Sequence, residues 1–177
     1  MSTARRVPNA DAESPTQVRG GAGRWAAVIV GVTLVLDQAT KVWAVEELHD
    51  RPISIIGSTV EFSLSRNTGS AFSLFQGFTP LLALLAAGIA FVLVRAVRRS
   101  EDLMSTVALA LVLAGAVGNL IDRLVRAPGF GRGAVVDFVK ISSWPTFNVA
   151  DSAITIGAVM LIVSLFRPDR ATPGEDT

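Results

Sequence analysis

The sequence predicts an all-α polytopic membrane protein, with four transmembrane helices and a small β-sheet cradle on the extracytoplasmic side. Three observations point there. Half of the 177 residues are hydrophobic and the mean hydropathy is +0.50, too apolar for an ordinary water-soluble domain. Apolar runs recur along the chain, each near the about 20 residues that a bilayer core requires. Between the first two runs, one stretch alternates apolar and polar residues with period two, as a half-buried strand does.

The elements follow in order. Residues 1–23 are rich in Arg, Pro, Ser, Gly and Asp, and read as a disordered tail. The first run is Trp25–Val45, "WAAVIVGVTLVLDQATKVWAV". Arginines precede it, as in a signal peptide. Its apolar stretch is too long for one, no small-x-small cleavage site follows closely, and it reads as a retained span. Residues 46–78 hold "VEFSLS", where Val60, Phe62 and Leu64 alternate with Glu61, Ser63 and Ser65, and "PISII" is a candidate partner strand. The second run is Thr79–Val97 and the third Leu103–Ile121. Residues 122–148 carry a Gly-rich turn, "APGFGRG", then "AVVDFVKI", which fits either strand or helix. The fourth run is Val149–Phe166. Residues 24–167 thus form one membrane domain, and 168–177 a second polar tail.

Composition removes several function classes. The chain has no cysteine, hence no disulfide or thiolate site, and His49 is its one histidine. A net charge of +1 gives no reason to expect nucleic acid. Orientation follows the basic residues. Arg5, Arg6, Arg19, Arg24, Arg95, Arg98, Arg99, Arg167 and Arg170 fall on the side of the termini; Arg51, Arg66, Arg123, Arg126, Arg132 and Lys140 fall on the other. Both termini are therefore expected inside.

With that topology every unusual polar residue gathers at the outer face. Asp37 and Lys41 lie in the outer half of the first helix, Asn119, Asp122 and Arg123 at the outer end of the third, and Asn148 and Asp151 at the start of the fourth. Asp137 and Asn67 lie in the outer loops. A charge at the centre of a membrane helix costs about 2.5–3.5 kcal/mol on insertion scales, so ionisable residues at depth are functional candidates. Each also has a structural reading. Asp37 and Lys41, four apart, can pair with each other. Asp122 and Arg123 can form a solvated or braced helix end. Asn119 and Asn148 can join helices by hydrogen bonds. Asp151 can be a helix cap. Metal catalysis lacks its ligands, since HExxH is absent and no cysteine is available. A Ser-Lys pair has only Ser143, three residues from Lys140, to support it. Two aspartates acting as general acid and base remain, sharing one proton when close.

The motifs "DQATK" (37–41), "RNTGSAF" (66–72), "GNLIDR" (118–123), "VVDF" (135–138) and "FNVADSAI" (147–154) occur in that order across the four spans. Together they resemble the lipoprotein signal peptidase family, also known as signal peptidase II, over roughly residues 25–166. The resemblance implies an aspartic endopeptidase of the bacterial inner membrane, a hydrolase needing no cofactor or metal. It implies cleavage of diacylglyceryl-modified prolipoproteins just before the lipidated lipobox cysteine, and inhibition by globomycin-type cyclic peptides. Prolipoproteins and membrane lipids are then the partners. Carried over by motif, Asp137 and Asp151 are the catalytic pair, and Asn67 and Arg123 contact substrate. Asp37, Lys41, Gly69, Asn119, Asp122 and Asn148 support the site. Two departures from the family pattern bear on the outer loop: the turn "RAPGFGRG" is longer than usual, and the 14-residue step from Asp137 to Asp151 (151 − 137 = 14) is shorter.

Other readings stay open on residues alone. A transporter would use the same intramembrane Asp, Lys and Asn, but its path should be polar through the full depth, and no inverted repeat is evident. A presenilin-type protease would need tyrosine and GxGD, which are absent. A membrane scaffold would use Asp137 for folding rather than turnover.

Overall fold

The structure is a computed structural model that describes residues 16–69 and 79–166. Of the expected tails, residues 1–15 of 1–23 and all of 168–177 lie outside the described residues, as do Ser70, Ala71 and Phe72 of "RNTGSAF". In chain order the elements are α1 (Thr16–Glu47), β1 (Ile53–Ile56), β2 (Val60–Asn67), α2 (Thr79–Arg99), α3 (Leu103–Val125), β3 (Val135–Ile141) and α4 (Val149–Leu165).

The apolar runs are the helices, with corrections at the ends. Helix α1 begins at Thr16, inside the stretch read as a disordered tail. Its first turns contain Gly20, Gly21 and Gly23, poor helix formers. Extending a helix already nucleated by the apolar run fixes one residue per hydrogen bond, which offsets that weakness. Gly23–Glu47, Thr79–Arg99 and Leu103–Val125 are long and apolar enough to cross a membrane. Helix α4, with 17 residues, is shorter, at the low end of what a bilayer core needs.

"AVVDFVKI" resolves as strand β3. Its β-branched valines suit a pleated surface, and Val135 and Val136 are both buried, so neither face shows a polar alternation. The sheet is antiparallel in the order β1-β2-β3. "VEFSLS" is a strand and pairs with "PISII", with Ile53 opposite Phe62, but Val60 to Ser65 are all half-buried, so the expected contrast between two faces does not show in their burial. Strand β2 then pairs with β3, Ser65 opposite Asp137 and Asn67 opposite Val135. A register shift between Phe62 and Ser65 separates the outer part of this pairing from the part that carries Asp137.

The sheet sits on the C-terminal end of α1. Ala44, Leu48, Val136 and Phe138 are buried together, with Trp43, Phe62 and Leu64 packed against them. Trp43 meets Phe62 edge-on at 5.6 Å and Phe138 at 6.1 Å. Such edge-to-face pairs contribute about 0.5–1.5 kcal/mol each beyond their buried area. Through this cluster α1 fixes the height of β3, and so of Asp137.

Below the sheet, α3 is the central helix and packs on α1, α2 and α4. Its contacts with α4 run through small residues. A Cβ on Gly115 would stand 2.3 Å from the Ala150 carbonyl oxygen, and one on Gly157 2.6 Å from that of Ala108. Close backbone approach of this kind is how helices associate where water supplies no hydrophobic drive. The Gly-rich turn after α3 closes tightly as well. The Gly133 amide donates to the Arg123 carbonyl at 3.0 Å, and a Cβ there would meet the Asp122 carbonyl oxygen at 2.3 Å. The turn thus brings β3 straight back over the end of α3.

Candidate active site

The polar residues picked out by topology converge at one end of the bundle. Asp37 and Lys41 come from α1, Asn119, Asp122 and Arg123 from the last turns of α3, Asn67 from the end of β2, Asp137 from β3, and Asn148 and Asp151 from the start of α4. They form two connected layers.

The deeper layer is ionic and fully buried. Lys41 Nζ lies 2.9 Å from Asp37 Oδ2, 2.9 Å from Asp122 Oδ2 and 2.9 Å from Asn119 Oδ1. Lys41, Asp37 and Asp122 are each 0% exposed. The expected Asp37–Lys41 pair therefore exists, but it is one edge of a larger cluster. Every charge in it has further partners, the condition under which buried ions are tolerated. Asp37 Oδ1 accepts the Ala150 amide at 2.9 Å, and its Oδ2 accepts from Gln38 at 3.0 Å. Asp122 Oδ1 accepts from Arg126 Nε at 2.6 Å, and Oδ2 accepts the Val136 amide at 3.2 Å. Asp122 is therefore not a solvated helix end. It ties α3 to α1 and to the strand bearing Asp137.

The upper layer holds Asp137 and Asp151. Asp137 is 2% exposed. Its Oδ2 accepts from Asn67 Nδ2 at 3.1 Å, and its Oδ1 accepts from Asn148 Nδ2 at 2.7 Å. Asn67 reaches it diagonally across the ladder, since Ser65 is the residue directly opposite. Gly69, at φ +90°, turns the chain so that its amide donates to Asn67 Oδ1 at 2.8 Å and fixes the amide's sense. Asp151 Oδ1 accepts from Asn119 Nδ2 at 2.8 Å, and its Oδ2 accepts the Asn148 backbone amide at 3.2 Å. Asn148, 0% exposed, is thus bonded to both carboxylates. Asn119 joins the layers, accepting from Lys41 and donating to Asp151.

Electrostatics separate Asp137 from an ordinary carboxyl. Burial first, and then the nearby negative charge of Asp151, raise its pKa from 3.8 to about 6. The hydrogen bonds from Asn67 and Asn148, and the charge of Lys41, oppose the rise. Arg123 completes the site. Its Nη1 donates to the Asn119 carbonyl at 3.1 Å, while its buried Nε has no hydrogen-bond partner among the described residues. A buried donor left open beside two carboxylates is available to a ligand's carbonyl oxygen.

No group of three or more His, Cys, Asp or Glu among the described residues is arranged to hold a metal ion. Lys140 is paired with Glu61 at 3.2 Å on the sheet, away from any nucleophile role with Ser143. Four participants escaped the reading of the sequence. Gln38 and Arg126 looked like ordinary polar residues. Ala150 contributes only its backbone. Gly118 is needed because a Cβ there would stand 2.5 Å from Asp37 Oδ2. Gln38, Gly118 and Ala150 lie inside the quoted motifs "DQATK", "GNLIDR" and "FNVADSAI", which was the one available signal.

Comparison with known proteins shows the family. The profile of the family described as Signal peptidase (SPase) II matches residues 29–167. The chain is 44% identical over 173 residues to a lipoprotein signal peptidase of Mycolicibacterium smegmatis, covering 94% of this chain and 73% of that one. It is 48% identical over 137 residues to a lipoprotein signal peptidase of Rhodococcus jostii, covering 77% and 69%. A bacterial membrane enzyme solved by the in meso method at 2.3 Å superposes with a TM-score of 0.71 and 27% identity, covering 86% of this chain and 94% of that one.

Proposed function

The chain belongs to the signal peptidase II family, and from that membership we propose that it is a membrane aspartic endopeptidase that removes signal peptides from diacylglyceryl-modified prolipoproteins. It is a multi-pass membrane protein and a hydrolase of the lipoprotein-processing kind. We place it in the bacterial inner membrane with both termini cytoplasmic and the sheet on the outer side.

The observation that carries the mechanism is Asn148, which bonds to Asp137 through its side chain and to Asp151 through its backbone amide. One residue therefore sets both carboxylates. In the resting site the pair carries one proton, and burial and the charge of Asp151 make Asp137 its holder. Asp151, held by Asn119 and by the Asn148 amide, is the base of the pair.

The reaction then proceeds by general acid–base catalysis. Asp151 takes a proton from a water molecule as its oxygen attacks the scissile carbonyl carbon. Asp137 gives its proton to the carbonyl oxygen, and a neutral tetrahedral diol forms. Collapse of the diol breaks the carbon–nitrogen bond. The proton on Asp151 passes to the leaving amine of the lipidated cysteine, and a diol hydroxyl returns its proton to Asp137. Arg123, through its open Nε, and Asn67, from the rim of the sheet, hold the substrate backbone. The site lies at the ends of the helices, where the diacylglyceryl cysteine of a membrane-bound substrate lies too, and lateral approach from the bilayer supplies the lipid chains with solvent they accept. Globomycin-type peptides would occupy the same space.

The test is a cleavage assay in detergent or lipid. The purified chain is given a diacylglyceryl-modified prolipoprotein and, separately, its unlipidated form, with Asp137→Asn as the control. Cleavage of the lipidated form alone, lost in the variant, is expected. Failure of a folded wild-type chain to cleave either form overturns the proposal.

A further inference from the structure

The other end of the bundle holds a separate feature. Helices α1 and α2 barely touch, although both pack on α3. Between the three helices, at the end where α2 finishes and α3 begins, lies a cavity of about 1100 Å³. Its walls are apolar, with Ala26 and Val30 on α1 facing Val94 and Val97 on α2. Its mouth carries Arg98 and Arg99 together with Glu101. Small residues on α1 make the space: a Cβ added at Gly23 or Gly31 would meet nothing within 4 Å.

In a membrane protein an apolar groove of this size is filled by something other than water. Charge decides between the occupants. Among the described lining residues, two guanidinium groups stand against one carboxylate. Neither Arg98 nor Arg99 takes part in a salt bridge among the described residues. A guanidinium presents paired donors that match the oxygens of a phosphate. The apolar segment of a signal peptide is disfavoured, because a basic region precedes it and the arginines would repel that region. Depth fits as well. Trp25, beside the cavity residue Ala26, is 60% exposed, and exposed tryptophan marks the headgroup level of a membrane helix.

We infer that this cavity binds an anionic phospholipid, one acyl chain lying in the groove between α1 and α2 and the phosphate held by Arg98 and Arg99. Basic mouths on apolar clefts between membrane helices are how anionic headgroups are retained. The site is at the far end of the bundle from Asp137 and Asp151, so it does not depend on the proposed reaction. With the proposed orientation, the lipid belongs to the cytoplasmic leaflet.

Native mass spectrometry of the full chain, released from micelles containing equal amounts of dioleoyl phosphatidylglycerol and dioleoyl phosphatidylcholine, tests the inference. Two arginines at a membrane surface predict a preference of about tenfold to thirtyfold for the anionic lipid. The double variant R98Q/R99Q should lose that preference while still carrying out cleavage, which verifies its fold. Gly31→Leu, which fills the groove and leaves the arginines, should reduce adducts of both lipids. Equal adducts of the two lipids on the wild type would overturn the inference, as would a preference that survives in R98Q/R99Q. Competition by glycerol phosphate at the lipid's own concentration would also overturn it, since the site would then be one for a free anion. An Asp137→Asn chain should bind the lipid like wild type, so failure of the proposed reaction and failure of this site are told apart.

Discussion

Asn148 and Asp151 hold each other at the first turn of α4: the Asp151 amide donates to Asn148 Oδ1 at 2.9 Å, and the Asn148 amide donates to Asp151 Oδ2 at 3.2 Å. This is a capping box. The structural and catalytic readings of Asp151 are therefore compatible. The bond that caps the helix also aims the carboxylate, leaving Oδ1 to Asn119. Asp151→Asn keeps an acceptor oxygen for the Asn148 amide. Its NH2 then faces Asn119 Nδ2, so one bond is lost and the cost in stability should be about 1–3 kcal/mol. Cleavage should fall about 10²–10⁴-fold, as expected for loss of a general base. Thermal unfolding in detergent beside a cleavage time course separates the two effects. A variant that cuts at nearly the wild-type rate would remove Asp151 from the dyad.

The raised pKa of Asp137, about 6, has a direct signature. The carboxylic-acid carbonyl stretch of Asp137 should disappear with a midpoint near pH 6 in infrared difference spectra, and be absent in Asp137→Asn. Asp151→Asn removes a repelling charge and should move the midpoint down. Asn67→Ala removes a bond to the ionised form and should move it up. The sign for stability follows from the same shift. The folded chain binds this proton more tightly than the unfolded chain, whose carboxyl titrates near 3.8. The contribution of Asp137 to folding is therefore fully present below about pH 4 and is lost as pH rises through about 6. If the proposed proton holder is right, kcat/KM should decline over the upper part of that window and beyond. A midpoint near 4 would remove Asp137 as the acid.

Gly118 tests how closely α1 must approach α3. A Cβ at this position would stand 2.5 Å from Asp37 Oδ2, and Asp37 is pinned by Lys41 and the Ala150 amide. Gly118→Ala should cost about 1–3 kcal/mol by overpacking. Gly88→Ala on α2, where nothing lies within 4 Å, should be neutral or should stabilise by about 1 kcal/mol through helix propensity. Unfolding curves of the two variants in one detergent check the contrast. Equal behaviour would mean that the Asp37 contact yields.

Much of this was legible in the sequence, and the limits have physical causes. Run length and period gave the helices and the β1–β2 hairpin, because apolar and polar residues alternate along "VEFSLS". Strand β3 was ambiguous because Val135, Val136 and Phe138 are all buried, so the pattern carries no period. The start of α1 was missed because Thr16–Gly23 has no apolar periodicity to announce a helix. Topology was enough to gather Asp137, Asp151, Asn67 and Asn148 at one end, since it says which helix ends share a face. It could not say that Lys41 bonds Asn119, 78 positions away, or that Asp122 receives the Val136 amide. Those contacts exist only once the helices pack.

Lys41 gives the strongest test of that packed cluster. It is fully buried, with Asp37 and Asp122 each 2.9 Å from its ammonium. Lys41→Met keeps most of the side chain's volume but leaves two buried carboxylates without their shared cation. Breaking a buried pair in this way typically costs about 3–5 kcal/mol, enough to lower the unfolding temperature sharply. The damage should be electrostatic, so neutralising a carboxylate should repair part of it. Lys41→Met combined with Asp37→Asn should be more stable than Lys41→Met alone, while Asp37→Asn by itself should destabilise. That reversal of sign is what a filled cavity or a lost contact would not produce. In both Lys41 variants Asn119 Oδ1 would keep only the longer bond from Asn148 Nδ2, at 3.2 Å, and would present Nδ2 to Asp151 less firmly. Cleavage should therefore stay low in the repaired double variant. Recovery of stability together with full activity would show that Lys41 serves the fold alone.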